Sequence, residues 1–391
     1  MLNTSLSPWP SFTQEEADAV SKVLLSNKVN YWTGTECREF EKEFAAFAGT
    51  QYAVALSNGT LALDVALKAM DIGAGDDVIV TSRTFLASAS CIVTAGANPV
   101  FADVDLNSQN ISAETIKAAL TPNTKAIIVV HLAGMPAEMD GIMDLAKEHD
   151  LWVIEDCAQA HGAKYKGKSV GSIGHVGAWS FCQDKIMTTG GEGGMVTTND
   201  KELWSKMWSY KDHGKSYDAV YHREHAPGFR WLHESFGTNW RMMEMQAVIG
   251  RIQLKRMPEW TARRQAHAAK LAESLSKFAS IRLIEIADYI EHAQYKFYAF
   301  VKPEHLKEGW TRDRIVNELN ARKVPCYQGS CSEVYLEKAF DNTPWRPKER
   351  LKNAVELGDT SLMFLVHPTL TDDEIAFCKE HIEAVLSEAT A

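Results

Sequence analysis

Between about residues 50 and 200, short apolar runs alternate with helical patterns, and nothing else in the chain restricts its fold as strongly. Ala53-Val54-Ala55-Leu56 is strand-like, and Leu63, Leu67 and Met70 then recur at helical spacing. Asp77-Val78-Ile79-Val80 reads as a buried strand, as do Ala126-Ile127-Ile128-Val129-Val130 and Leu151-Trp152-Val153-Ile154. A helical pattern over residues 139–149 separates the last two. Such β–α alternation predicts an α/β fold with a mostly parallel sheet covered by helices. Gly177-Ala178-Trp179-Ser180-Phe181 and Gly194-Met195-Val196-Thr197-Thr198 add strands on either side of a glycine-rich turn. At 391 residues the chain exceeds the roughly 250–300 that one core accommodates. A helix-like stretch over 243–275, broken near Pro258, leads out of the large unit. Helical patterns at 312–322 and 371–387 and a strand at 295–301 then predict a smaller α/β unit. The expected division is 1–250 and 251–391. The N-terminal segment has too few periodic apolar positions to be a domain and is expected to pack on another part.

Charge narrows the partners. With 51 acidic against 41 basic residues the net charge is -10, which exerts no general pull on nucleic acid or an anionic membrane. No apolar run approaches the roughly 18 residues of a membrane span, and the first residues lack signal-peptide character. Seven scattered cysteines fit a reducing cytoplasm.

Three constellations carry chemistry. Ser57-Asn58-Gly59-Thr60 lies between a strand and a helix. Free backbone N–H groups there suit a phosphate, although an ordinary helix cap reads the same way. The carboxylates of Glu155-Asp156-Cys157-Ala158-Gln159-Ala160-His161-Gly162 end a strand, where α/β sheets bind ligands. One of them either holds a protonated ring nitrogen or caps the turn; His161 reads as a structural hydrogen-bonder. Lys185 follows a strand and precedes a turn with four glycines, Gly190, Gly191, Gly193 and Gly194. An imine-forming lysine needs this kind of rigid approach to an aldehyde, but composition alone reads it as a surface lysine.

Taken together in order and spacing, these blocks resemble the fold type I pyridoxal-phosphate enzymes, and more narrowly the DegT/DnrJ/EryC1/StrS sugar aminotransferase family. Trp32-Thr33-Gly34 with Glu39-Phe40-Glu41, Gly237-Thr238-Asn239-Trp240-Arg241-Met242, and His367-Pro368 extend the resemblance over essentially the whole chain. It implies a large domain with a mostly parallel central sheet and a smaller C-terminal α/β domain. It implies pyridoxal 5'-phosphate carried by Lys185, which also moves the substrate proton. Asp156 would pair with the ring nitrogen, Phe85 would stack on the ring, and Gln159 would lie beside it. Gly59, Thr60 and Ser180 would hold the phosphate. Asn239 would reach the phosphate of a neighbouring subunit, making the active unit a homodimer. A lysine at 185 argues for transamination rather than the dehydration of a related branch, whose members carry histidine there.

The implied donor is L-glutamate and the acceptor a keto sugar. Two segments bear on which. If residues 81–85 continue a strand, Arg83 and Phe85 share a face, and Arg83 would either grip a substrate carboxylate or form a salt bridge between subunits. Val324-Pro325-Cys326-Tyr327-Gln328-Gly329-Ser330-Cys331-Ser332-Glu333-Val334-Tyr335 is similar to the transaminases that make 8-amino-3,8-dideoxy-manno-octulosonate, a lipopolysaccharide sugar. On that reading Ser330 and Ser332 offer hydroxyls, Tyr31 and Trp32 wall the site, and the acceptor is the free 8-keto sugar acid. The alternatives are a nucleotide-linked 3- or 4-keto-6-deoxy sugar, a cofactor-binding regulator without turnover, and a sugar dehydratase. No metal is expected: Cys326 with Cys331 lacks a second ligand pair at zinc spacing, and His222 and His225 lie in a polar, loop-like stretch.

Overall fold

The computed structural model describes residues 6–391. Its central sheet has seven strands in the spatial order Tyr52–Leu56, Gly194–Thr198, Val176–Ser180, Trp152–Asp156, Thr124–Val130, Asp77–Thr81 and Asn98–Ala102. Gly194–Thr198 is antiparallel to both of its neighbours, and the remaining pairs are parallel. The inner strands are continuous apolar runs because helices cover both faces. Ile128 and Val80 lie in the core on one face, Ile127 and Ile79 in that on the other, as the alternation of a strand requires.

A four-stranded antiparallel sheet follows, built from Ile281–Leu283, Phe297–Val301, Ser361–Phe364 and Cys326–Tyr327. It packs with helices Arg312–Ala321 and Asp372–Ala389 around Phe297, Leu319, Phe364 and Ile382. Glu244–Leu275 is one unbroken helix of 32 residues with Pro258 inside it, not the broken stretch expected from the sequence. A mid-helix proline costs about 3 kcal/mol. Contacts on both sides of Pro258 offset that cost: helices Gln14–Leu25 and Glu36–Ala48 pack on the long helix, as does Asp372–Ala389. The expected division at 250/251 therefore falls within this helix, and the small sheet begins only at Ile281.

The N-terminal segment spans both parts. The Ser7 N–H donates to Glu374 Oε1 at 2.6 Å, Trp9 packs edge-on against Trp260 with ring centroids 5.1 Å apart, and its Nε1 donates to the Lys185 carbonyl at 2.8 Å.

Candidate active site

The carboxyl ends of the central strands gather most of the residues singled out above. After Tyr52–Leu56 the chain turns into helix Gly59–Ala69, capped by Asn58, whose Oδ1 accepts from the Leu61 N–H at 3.0 Å. Gly59 sits directly against Ser180: a Cβ on Gly59 would lie 2.5 Å from Ser180 Cβ. A Cβ on Gly194 would lie 2.2 Å from the Asn58 carbonyl oxygen. These close approaches bring the first N–H groups of the helix and the Ser180 hydroxyl to one place. Helix N-termini of this kind hold phosphate.

Glu155 and Asp156 end the same strand and point to opposite faces. Glu155 is consumed by the interior. Burial pushes its carboxyl up, but His131 at 2.9 Å and the N–H groups of Gly171, Ile173 and Gly174 hold it below its usual value. Its neighbour Cys157 completes a buried trio with His131, but those bonds already occupy the Glu155 oxygens. Asp156 faces the other way and is 6% exposed. Its Oδ2 accepts from Ser88 Oγ at 2.7 Å and its Oδ1 from the Ala158 N–H at 3.1 Å. Among the described residues no cationic side chain pairs with it. A buried carboxylate without a counter-cation fits a ring nitrogen that carries a proton.

Phe85 is 69% exposed, and Thr84 Oγ1 and Ser88 Oγ, 2.8 Å apart, tie its loop to Asp156. Gln159 Oε1 accepts from the Ala133 N–H at 2.8 Å, and Ala133 has a left-handed backbone (φ 57). Lys185 Nζ lies 3.8 Å from Asp184 Oδ1 and 5.4 Å from the Tyr295 ring centre. Tyr295 OH donates to Asp184 Oδ2 at 2.5 Å. Burial raises the Asp184 carboxyl, but Lys185 and Tyr295 bring it below its usual value. Sequence reasoning missed Ser88, Thr84 and Tyr295. The small, polar residues on either side of Phe85 are the available signal for the first two; Tyr295 arrives from 110 positions downstream of Lys185 and leaves none. His161 is buried among Phe44, Trp179 and Phe181, and burial pushes it down to about 3.

Several expected substrate residues lie elsewhere. The strand ends at Thr81, so Arg83 does not share a face with Phe85. Arg83 is wholly buried, donating to Gln109 Oε1 at 3.1 Å and Ser361 Oγ at 2.7 Å, with the Tyr298 ring 5.7 Å away. It is shut off from any ligand at Phe85, which corrects the substrate role expected for it. Tyr31 is also buried: it donates to Glu41 at 3.1 Å, accepts from Trp208 Nε1 at 3.1 Å, and has Lys211 Nζ 3.3 Å from its ring centre. Trp32 is half-buried against Trp208 and Tyr221. Ser332 Oγ is spent on the Ala354 carbonyl. Ser330 is half-buried, its N–H donating to Tyr298 OH at 2.9 Å. Its segment does reach the site, since the Thr84 N–H donates to the Cys331 carbonyl at 3.1 Å. Asn239 is exposed and bridges Asp212 through its backbone. Among the described residues no helix is long and apolar enough to cross a membrane.

Comparison with known proteins agrees with this geometry. The model of the DegT/DnrJ/EryC1/StrS aminotransferase family matches residues 10–383. The chain is 42% identical over 363 residues to the UDP-N-acetyl-3-dehydro-α-D-glucosamine 3-aminotransferase of Acidithiobacillus ferrooxidans, covering 91% of this chain and 90% of that protein. It is 40% identical over 286 residues to the GDP-perosamine synthase of Caulobacter vibrioides, covering 72% and 73%. The crystal structure of an aminotransferase from Psychrobacter cryohalolentis superposes with a TM-score of 0.96 at 65% identity, covering 98% of this chain and 99% of that one.

Proposed function

The chain belongs to the DegT/DnrJ/EryC1/StrS aminotransferase family and is a pyridoxal-phosphate-dependent sugar aminotransferase of the fold type I architecture; on that premise we propose which residues carry the reaction and which keto sugar accepts the amine. The observation that carries the site is Asp156, a nearly buried carboxylate with no cation against it among the described residues, at the carboxyl end of a central strand. Bound pyridoxal phosphate supplies an aldehyde and an electron sink. The N–H groups of Gly59 and Thr60 and the Ser180 hydroxyl would hold its phosphate. Asp156, oriented by Ser88, would keep a proton on the ring nitrogen. Phe85 and Gln159 would fix the ring plane. Lys185 would carry the cofactor and move a proton at the substrate carbon, with Asp184 Oδ1 3.8 Å from its Nζ. Asn239, exposed and without a side-chain partner among the described residues, completes the phosphate site of a second copy in a homodimer. L-glutamate is the amino donor.

For the acceptor, a nucleotide-linked 3- or 4-keto sugar is favoured. Two relatives similar over most of the chain are named for UDP- and GDP-sugar chemistry, and the burial of Arg83 removes the side chain that would have read a sugar carboxylate. The second reading, the free sugar acid 8-keto-3,8-dideoxy-manno-octulosonate of lipopolysaccharide synthesis, retains one support: residues 331–334 are fastened to the segment before Phe85 through Thr84 and Ser82. A half-reaction separates the two. Holoenzyme is first converted with L-glutamate, and each acceptor is then offered alone. Recovery of the visible band with the nucleotide sugar alone supports the first reading. Recovery with the sugar acid alone overturns it in favour of the second.

A further inference from the structure

A groove of about 360 Å³ opens between the second half of helix Glu244–Leu275 and residues 283–298. Its walls are apolar, with Ala268, Ala272, Leu283, Ile284, Ile290 and Phe297. Its polar lining is Gln265, Glu291, His292, Gln294 and Tyr298, and of these His292 and Gln294 are only 6% and 8% exposed. The Gln294 backbone N–H donates to His292 Nδ1 at 2.8 Å, so the neutral ring carries its proton on Nε2. Burial holds this ring down to about 3, and it stays neutral across the working range of pH. Among the described residues neither His292 Nε2 nor the Gln294 side-chain amide has a hydrogen-bond partner. Neither is sealed in the interior; both abut the groove.

An apolar trough lined by a few polar side chains that lack partners in the protein is the ordinary form of a small-molecule site. Charge narrows the head group. Glu291 is the one ionised side chain on the lining, and it pairs with Lys164 at 3.0 Å. An anionic head would meet that carboxylate with no cation of its own, and a cationic head would meet the His292 N–H. A neutral acceptor satisfies the N–H, and the Gln294 amide can add a second bond. The segment forming the wall also runs to the cofactor side. The Ala293 N–H donates to the Gly134 carbonyl and the Tyr295 N–H to the Ala133 carbonyl, both at 2.9 Å. An occupant would therefore rest against the segment that holds Tyr295 on Asp184.

We propose that this groove is an accessory binding site for a neutral amphiphile, an apolar body bearing one carbonyl that accepts from His292 Nε2. It lies outside the cofactor pocket and does not depend on the sugar chosen as acceptor. The test uses holoenzyme and 6-propionyl-2-dimethylaminonaphthalene, a neutral ketone whose emission moves to the blue in an apolar site. Saturable, blue-shifted binding at one site per chain is expected. Ala269→Trp, which fills the trough from its exposed side, abolishes it. Gln294→Met and His292→Phe each weaken it by roughly 2- to 12-fold, the worth of one hydrogen bond. Gln294→Met is the safer variant, since that side chain makes no bond to the rest of the protein. Absence of saturable binding overturns the proposal, as does binding that all three variants leave unchanged. A change of oligomeric state in Ala269→Trp also overturns it, marking the groove as a contact between copies of the chain.

Discussion

Gly59→Ala tests the phosphate cradle most directly. The added Cβ would lie 2.5 Å from Ser180 Cβ, 2.8 Å from its Oγ and 2.9 Å from its Cα. Carbon atoms rest at about 3.5–4.0 Å, so the helix N-terminus must retreat from Ser180 by about 1 Å. That retreat draws the Gly59 and Thr60 N–H groups away from the Ser180 hydroxyl. Phosphate binding must reverse it, since the N–H groups and the hydroxyl have to close on one anion. Overpacking of this size costs about 1–3 kcal/mol, which is about a 5- to 150-fold loss of cofactor affinity. The assay titrates apoenzyme with pyridoxal phosphate and, separately, with pyridoxal, which lacks the phosphate. Affinity for the first should fall by that factor while affinity for the second holds. Adding Ser180→Gly removes the Cβ and Oγ and leaves only the backbone of residue 180 to crowd the new methyl group, so the pair should cost less than the sum of the single changes. Unchanged pyridoxal phosphate affinity in Gly59→Ala would refute the reasoning. Equal loss of both ligands would also refute it, by showing distortion of the whole pocket.

Other outcomes follow from the same structure. Lys185→Ala should remove the visible band of the holoenzyme and lower turnover by at least ~10²–10⁴-fold; a variant that keeps both places the chemistry on another residue. Arg83→Ala should destabilise the fold by about 3 kcal/mol through its cavity and lost hydrogen bonds, with acceptor KM unchanged; a raised KM at unchanged melting temperature would return Arg83 to the substrate. His161, pushed down to about 3 by burial, binds its proton only in the unfolded chain between that value and its ordinary one near 6.5. Its contribution is complete above pH 6.5 and is lost as pH falls toward 3, at about 1.4 kcal/mol per pH unit. His161→Phe should therefore flatten the acid limb of a melting-temperature profile while leaving melting at pH 7 the same or higher; an unchanged acid limb would show that this ring does not govern acid unfolding.

What the sequence disclosed and what it hid divide along physical lines. The strands after Ala53, Val78, Ile127 and Val153 were legible because each is a short, locally encoded apolar run. Ligands of open α/β sheets sit at the carboxyl ends of such strands, which pointed to Ser57–Thr60 and Glu155–Asp156 without any structure. Arg83 was misread because one residue decides the matter. Had the strand continued past Thr81, positions 83 and 85 would have shared a face; the turn there sends Arg83 inward to Gln109 and Ser361, the latter 278 positions away. A local pattern has no term for a partner that distant. Pro258 shows the same limit in the opposite direction, since packing by three other helices carries the long helix through a residue that should end it.

Glu155 and Asp156 show where the boundary lies. Adjacent strand residues must face opposite ways, so one of the two carboxylates was bound to meet the site and the other the interior. The sequence contains that alternation but not its phase. The phase is set by His131 and by the N–H groups of Gly171, Ile173 and Gly174, which converge on Glu155 from two other segments. Asp156 is left with a serine, one backbone N–H and, among the described residues, no cation. The acid available for a protonated ring is thus selected by what its neighbour has already bound.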